Sequence, residues 1–132
     1  MITKEIIKIA SNTNNVGLTN KYNYKSSLKN SICGDKIELE IMVKKLKVNS
    51  IRYETESCVY CEASASLLAT TIINLNINTI IEDLKLLKNI ISNNKYIFPK
   101  NYKNFEILIN ENNLNRINCI NLPFDAVLKA LR

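Results

Sequence analysis

Apolar residues recur along this chain with two different periods, and the changes of period predict the order of its elements. Over residues 2–11 isoleucines fall at near-helical intervals, and an asparagine-rich stretch over 12–17 then interrupts the pattern. Spacings of three to four residues place side chains on one face of a helix, whereas Asn and Gly favour turns. The pattern predicts a short N-terminal helix.

Between about residues 22 and 56 the period falls to two. Apolar and polar side chains alternate most clearly over 37–43 and 51–55, on either side of the lysine-rich stretch 44–47, and less regularly over 22–31. Alternation is typical of strands that bury one face. These residues predict three antiparallel strands with a turn between the last two.

Helical spacing returns in the second half of the chain. Apolar residues predict one helix that begins after Cys58 and runs to 72, and another over 79–91, with Thr79 as its N-cap. A short helix is expected near 102–109, and a final one over about 123–131, with its proline in the favoured first turn. This order predicts an α+β fold, a small three-stranded antiparallel sheet packed against several helices.

Composition and charge narrow the class of protein. The 132 residues, 46% of them hydrophobic, can bury one core without disulfides, and no linker divides residues 1–132, so we expect a single domain. The net charge of +6 comes from dispersed lysines, which predicts a solvated surface and no nucleic-acid partner. Without a membrane-length apolar run or a signal-like N-terminus, we expect a cytoplasmic protein with no membrane partner, a monomer or weak dimer.

The candidate chemistry lies in four cysteines and one aspartate, in a chain that has no histidine. Cys33 and Asp35 flank Gly34 in a predicted turn, Cys58 and Cys61 lie at a predicted helix start, and Cys119 is expected just before the final helix. Thiolates with a carboxylate suit zinc or iron, so the pattern favours a metal or iron–sulfur site. The alternatives are cysteines buried as small apolar residues, or a thioredoxin-like redox pair of Cys58 and Cys61.

Three separate motifs then resemble one known family. The segments 30–35 (Asn-Ser-Ile-Cys-Gly-Asp), 58–66 (Cys58 followed by Ala-Ser-Ala-Ser) and 116–127 (Arg-Ile-Asn-Cys and onward) are similar to iron–sulfur cluster assembly scaffolds, the IscU and NifU N-terminal-domain family with its SufU branch. The stretch 15–17 is similar to that family's N-terminal motif. The resemblance therefore covers nearly the whole chain.

The resemblance implies that Cys33, Asp35, Cys58 and Cys119 bind a transient iron–sulfur cluster, expected to be [2Fe–2S], or zinc. Sulfur would come from a cysteine desulfurase as a persulfide accepted by Cys119. The cluster would then pass to apo iron–sulfur proteins, and the scaffold itself would catalyse no turnover. The alternative is a SufU-like zinc-dependent sulfurtransferase. The SufU branch has a longer interval between its second and third cysteine regions, and the interval from Cys58 to Cys119 is similar to it.

The departures from the family pattern also carry information. Asn118 stands where the better-known scaffolds have His, and their Leu-Pro-Pro-Val-Lys chaperone motif is absent around 112–115. Cys61 has no counterpart in the motif, so it is either an auxiliary thiolate or packs inward. Arg116 matches a basic residue of the family and is either a surface charge, a group that stabilises the Cys119 thiolate, or a contact for the desulfurase.

Overall fold

The computed structural model describes residues 2–93 and 95–132, apart from the side chains of residues 91–93. Over these residues the elements are α1 (Lys4–Ala10), β1 (Tyr24–Lys29), β2 (Lys36–Lys44), β3 (Lys47–Glu56), α2 (Val59–Ile72), α3 (Ile77–Asn93), two 3₁₀ helices (Lys100–Ile107 and Glu111–Arg116) and α4 (Ile117–Ala130). The predicted α+β class is confirmed.

The three strands form an antiparallel sheet in the order β1-β2-β3, as predicted. The register pairs Leu28 with Ile37 and Leu39 with Tyr53. Alternate residues of β2 therefore point to the same face, and there Ile37, Leu39 and Ile41 are almost completely buried. The turn between β1 and β2, which carries Cys33 and Asp35, lies at the opposite end of the sheet from the turn between β2 and β3.

Helices α2 and α4 cover the apolar face of the sheet, and α1 packs on α2. Small residues over 63–66 and at Ala69 are buried in α2, which lets its backbone approach α4 closely. Phe124 of α4 packs edge-on against Phe105 of the first 3₁₀ helix, with 5.2 Å between ring centroids. The core thus holds α2 and α4, which carry two of the candidate ligands, side by side.

The opposite face of the sheet holds the segment before β1 through two charged side chains. Glu40, which is 1% exposed, and its cross-strand neighbour Arg52 both point to this face. Glu40 accepts hydrogen bonds from the backbone N–H groups of Thr19 and Asn20. Arg52 donates to three backbone carbonyls, those of Asn14, Val16 and Gly17. Among the described residues, each of these two charges is therefore stabilised by hydrogen bonds with neutral backbone groups and not by an ion pair with the other charge.

Two of the predicted helix starts are wrong. Helix α3 begins at Ile77, two residues before Thr79, because the Asn76 side chain accepts a hydrogen bond from the Asn78 N–H and so caps the helix earlier. Helix α4 begins at Ile117, so Pro123 lies inside the helix and not in its first turn. The apolar face continues upstream through Ile120, and its burial outweighs the one backbone hydrogen bond that the proline cannot make.

We expect Arg52→Ala to lower the free energy of unfolding by about 1.5–3 kcal/mol, because three backbone carbonyls lose a charged donor. Urea unfolding followed by circular dichroism would measure the change. Lys44→Ala, which removes an exposed cation from the same sheet, is the control and should shift the midpoint little. Equal midpoints for the two variants would contradict the assigned role of Arg52.

Candidate metal centre

The turn between β1 and β2 carries the first two candidate ligands. The Asn30 carbonyl accepts a hydrogen bond from the Gly34 N–H at 2.8 Å, and the Asn30 N–H donates to the Asp35 carbonyl at 2.8 Å. Gly34 has a φ of 78°, a left-handed conformation that glycine adopts without a steric penalty. The turn leaves Cys33 exposed and directs Asp35 inward, where it is 7% exposed. The predicted turn position of both residues is confirmed.

Cys58 is the N-cap residue of α2, as predicted, and it touches the same turn. Its backbone N–H donates to Oδ1 of Asp35 at 3.3 Å. The other carboxylate oxygen, Oδ2, is buried and has no hydrogen-bond partner among the residues that the structure describes. A buried oxygen without a donor is costly unless a cation or proton satisfies it. Asp35 therefore offers one oxygen to the protein and one to a ligand.

Cys119 completes the cluster from the third residue of α4, within the helix and not before it as predicted. One ligand atom each from Cys33, Asp35 and Cys119 lie within 4.8 Å of one another. Two thiolates bound tetrahedrally to one zinc ion at about 2.3 Å lie about 3.8 Å apart, so the side chains must draw together by up to about 1 Å to coordinate an ion. Cys58 is not part of this group of three, and its contact with the turn is the hydrogen bond from its backbone N–H to Asp35. Cys33, Asp35 and Cys119 thus converge and fit a metal of borderline softness, with the backbone of Cys58 beside them.

The electrostatics of Cys119 differ from the prediction. Burial raises the pKa of its thiol, and hydrogen bonds to Cys58, Asp35 and Cys33 raise the pKa further. The structure gives no support to the interpretation of Arg116 as a group that stabilises this thiolate, because desolvation favours the neutral thiol. The Arg116 guanidinium lies over the Tyr60 ring, 5.6 Å from its centroid. A thiol with a raised pKa can bind metal only by releasing its proton, so metal and proton compete at Cys119.

Cys61 packs inward beneath the cluster. Its side chain is completely buried, and burial raises the pKa of the thiol to about 12, against a smaller opposing effect of its hydrogen bond to Ser57. The nearby acidic groups of Asp35, Cys58 and Cys33 also raise this pKa. Of the two roles considered for Cys61, the structure favours the inward-packing one.

Two polar side chains near the cluster had no role in the sequence analysis. The hydroxyl of Ser64, completely buried in α2, donates to the Ile120 carbonyl at 2.7 Å. The Asn30 side chain donates to the Asn118 carbonyl at 3.2 Å. Both contacts join ligand-bearing segments that are far apart in sequence, so periodicity gives no sign of them. The Asn three residues before Cys33 is the only local signal, since Asn often begins a turn.

Comparisons with known proteins agree with this architecture. A family model described as the NifU-like N terminal domain matches residues 1–129. The N-terminal part of a nitrogen-fixing NifU-like protein from Brucella abortus has a similar structure, with a TM-score of 0.84 and 20% identity over 98% of this chain and 91% of that one. A candidate iron–sulfur cluster assembly scaffold protein for the SUF system of Fervidobacterium islandicum AW-1 is also similar, with a TM-score of 0.85 and 19% identity over 99% and 96% of the two chains. The TM-scores establish the shared fold.

Two further findings complete the comparison. No curated protein matches the chain. Over residues 2–93 and 95–132, no helix combines the length and the apolar character needed to cross a bilayer.

We expect the four thiols to react with N-ethylmaleimide in an order set by burial. Cys33 should react first and Cys58 next, with Cys61 and Cys119 slower than Cys33 by about tenfold or more, because both are buried and each unit of raised pKa lowers the thiolate fraction tenfold. Peptide mass spectrometry of chelator-treated protein at timed quenches measures the rates, and urea-unfolded protein is the control. Labelling of Cys119 as fast as that of Cys33 would contradict the assigned burial.

Proposed function

This chain belongs to the NifU-like N-terminal domain family, and on that premise we propose that it is an iron–sulfur cluster assembly scaffold. Cys33, Asp35, Cys58 and Cys119 would hold the nascent cluster as cargo. The observation that carries the proposal is the convergence of Cys33, Asp35 and Cys119 ligand atoms within 4.8 Å, with Cys58 joined to Asp35 through its backbone N–H. The protein itself would turn over no substrate and would pass the cluster to apo iron–sulfur proteins.

The donor set suits a site that must both hold and release iron. Thiolates bind iron and the sulfide-bridged cluster strongly, while a carboxylate is a harder ligand that exchanges more readily. Oδ1 of Asp35 is already engaged by the Cys58 N–H, so metal binding through Oδ2 needs no rearrangement of the turn. Mixed sulfur and oxygen ligation thus supports a transient cluster over a permanent one.

Exposure of the thiols suggests the path of sulfur. Cys33 is exposed, whereas Cys119 is 3% exposed, so Cys33 is the thiol that a cysteine desulfurase reaches first. We propose that Cys33 takes the terminal sulfur as a persulfide, and that the deprotonated Cys119 sulfur then attacks this terminal sulfur. The sulfur–sulfur bond to Cys33 breaks, the departing Cys33 thiolate takes up the proton that Cys119 gave up, and Cys119 carries the persulfide. Cys119 is then the second acceptor.

The second candidate function is the SufU-like zinc-dependent sulfurtransferase. The chain has no histidine, and three thiols with one carboxylate are a complete tetrahedral set for zinc. In this function the exposed Cys33 would leave the zinc ion and accept the persulfide from the desulfurase, while Asp35, Cys58 and Cys119 would keep the ion. The two functions therefore share the same four residues and differ in what the site carries.

We expect protein purified anaerobically and reconstituted with ferrous iron, cysteine, a cysteine desulfurase and dithiothreitol as reductant to bind iron and sulfide in equal amounts and to activate an apo-ferredoxin. Protein as isolated can contain zinc, which outcompetes ferrous iron for such ligands. The triple Cys33, Cys58 and Cys119 to Ser variant should lose both metals, and Cys61→Ser is the matched control. Zinc that cannot be replaced, together with zinc-dependent stimulation of the desulfurase, would favour the sulfurtransferase. Stoichiometric metal in the triple variant would contradict both functions.

We expect Cys33→Ser to abolish persulfide formation on Cys119, because the exposed thiol is the entry point. Cys119→Ser should instead leave a persulfide on Cys33. Incubation with a desulfurase and cysteine, followed by alkylation and mass spectrometry, measures both, and Cys61→Ser serves as the control. Full labelling of Cys119 in the Cys33→Ser variant would show that sulfur enters at Cys119 directly.

A further inference from the structure

We propose that Asn30 is a positioning residue of this site, which sets where Cys33 stands relative to Cys119. This inference rests on the proposed metal-binding role of the cluster. It gives Asn30 a function at the site although Asn30 is not itself a ligand. The Asn30 side chain connects the turn that carries Cys33 with the helix turn that carries Cys119, 88 residues apart in sequence.

The acceptor half of the Asn30 amide shapes the turn. Its Oδ1 accepts a hydrogen bond from the Ile32 N–H at 2.8 Å and a longer one from the Cys33 N–H at 3.4 Å. Together with the backbone hydrogen bonds from the Gly34 N–H to the Asn30 carbonyl and from the Asn30 N–H to the Asp35 carbonyl, these contacts determine the backbone path of Cys33. A side-chain oxygen that accepts from the residues after it is a common way to stabilise such a turn.

The donor half of the same amide reaches a different element. Its Nδ2 donates to the carbonyl of Asn118, the residue before Cys119, at 3.2 Å. On the other side of Cys119, the Ile120 carbonyl accepts from Ser64. Asn30 and Ser64 therefore hold the backbone on both sides of Cys119 from two separate elements.

The first turn of α4 needs this external support. Pro123 has no N–H, so the helix offers no hydrogen bond to the carbonyl four residues earlier, which is that of Cys119. The turn that carries the ligand is thus weaker than an ordinary helix turn. A tether to the neighbouring residue compensates for this, and it does so from the segment that carries the partner ligand.

Loss of the hydrogen bond from Asn30 to the Asn118 carbonyl should affect metal binding more than folding. Asn30 is only half-buried and Asn118 is exposed, so water can replace the tether when it is lost. The ligand atoms, by contrast, must come within about 3.8 Å of one another to share one tetrahedral ion. Groups that orient ligands without touching the metal typically change its affinity by about 10–100-fold.

The test compares Asn30→Ala with Asn30→Asp in the full chain, using Co²⁺ and Zn²⁺ in competition with a chromophoric chelator. We expect Asn30→Ala to weaken binding by about 10–100-fold and to lower the thiolate-to-cobalt charge-transfer absorbance per bound ion, because Cys33 leaves the coordination shell. Asn30→Asp keeps the acceptor and loses the donor. It should therefore retain the turn but still weaken binding, by about tenfold.

Asn23→Ala is the matched control, since the Asn23 side chain also accepts from a backbone N–H, that of Val43, at the opposite end of the sheet. It should leave both affinity and spectrum unchanged. Wild-type affinity and spectrum in Asn30→Ala would overturn the inference. If that variant does not fold, wild-type values in Asn30→Asp would overturn it, as would an equal loss in Asn23→Ala. Failure of the wild-type protein to bind either ion would instead reject the proposed function.

Discussion

The candidate site depends on three segments that are far apart in the sequence and must be held together: the turn between β1 and β2, helix α2 and helix α4. One hydrogen bond joins each pair: the Cys58 N–H to Asp35 for the turn and α2, Asn30 to the Asn118 carbonyl for the turn and α4, and Ser64 to the Ile120 carbonyl for α2 and α4. These contacts span 23, 88 and 56 residues. Cys58 and Asp35 are themselves candidate ligands, and every other donor or acceptor lies within six residues of one, so a closed triangle of contacts organises the site.

The candidate ligands differ in burial, and burial opposes the charged form of a thiol. The core side of the cluster contains Asp35 and Cys119, where desolvation raises the pKa of the Cys119 thiol, while Cys33 faces solvent. A buried thiol keeps its proton until a metal ion displaces it, which protects it from unwanted oxidation and alkylation. The exposed thiol carries no such protection. The same turn therefore contributes one ligand that is available to partners and one that is not.

The sequence predicts the sheet well because a half-buried strand must alternate, and β2 does so through Ile37, Leu39 and Ile41. The four candidate ligands were found from motifs, but their surroundings were not. The start of α4 was misplaced because proline is more common at a helix start than inside one, and only packing of the upstream residues reveals the exception. The direction of the Cys119 pKa shift was missed for a related reason, since burial depends on tertiary contacts that local position does not show.

The arrangement of hard and soft ligands supports an order for cluster release. If the proposed scaffold function holds, a cluster that leaves toward solvent would first break its bond to Cys33, the exposed residue, and the bond to Asp35 would be the next most exchangeable because it is made by oxygen. Cys58 and Cys119 are less accessible and would bind through sulfur, so they would hold the cluster longest. Cys33 and Asp35 share one turn, two residues apart, and movement of this turn would therefore remove both weaker attachments together. A partner that displaces the turn could accept the cluster without unfolding α2 or α4.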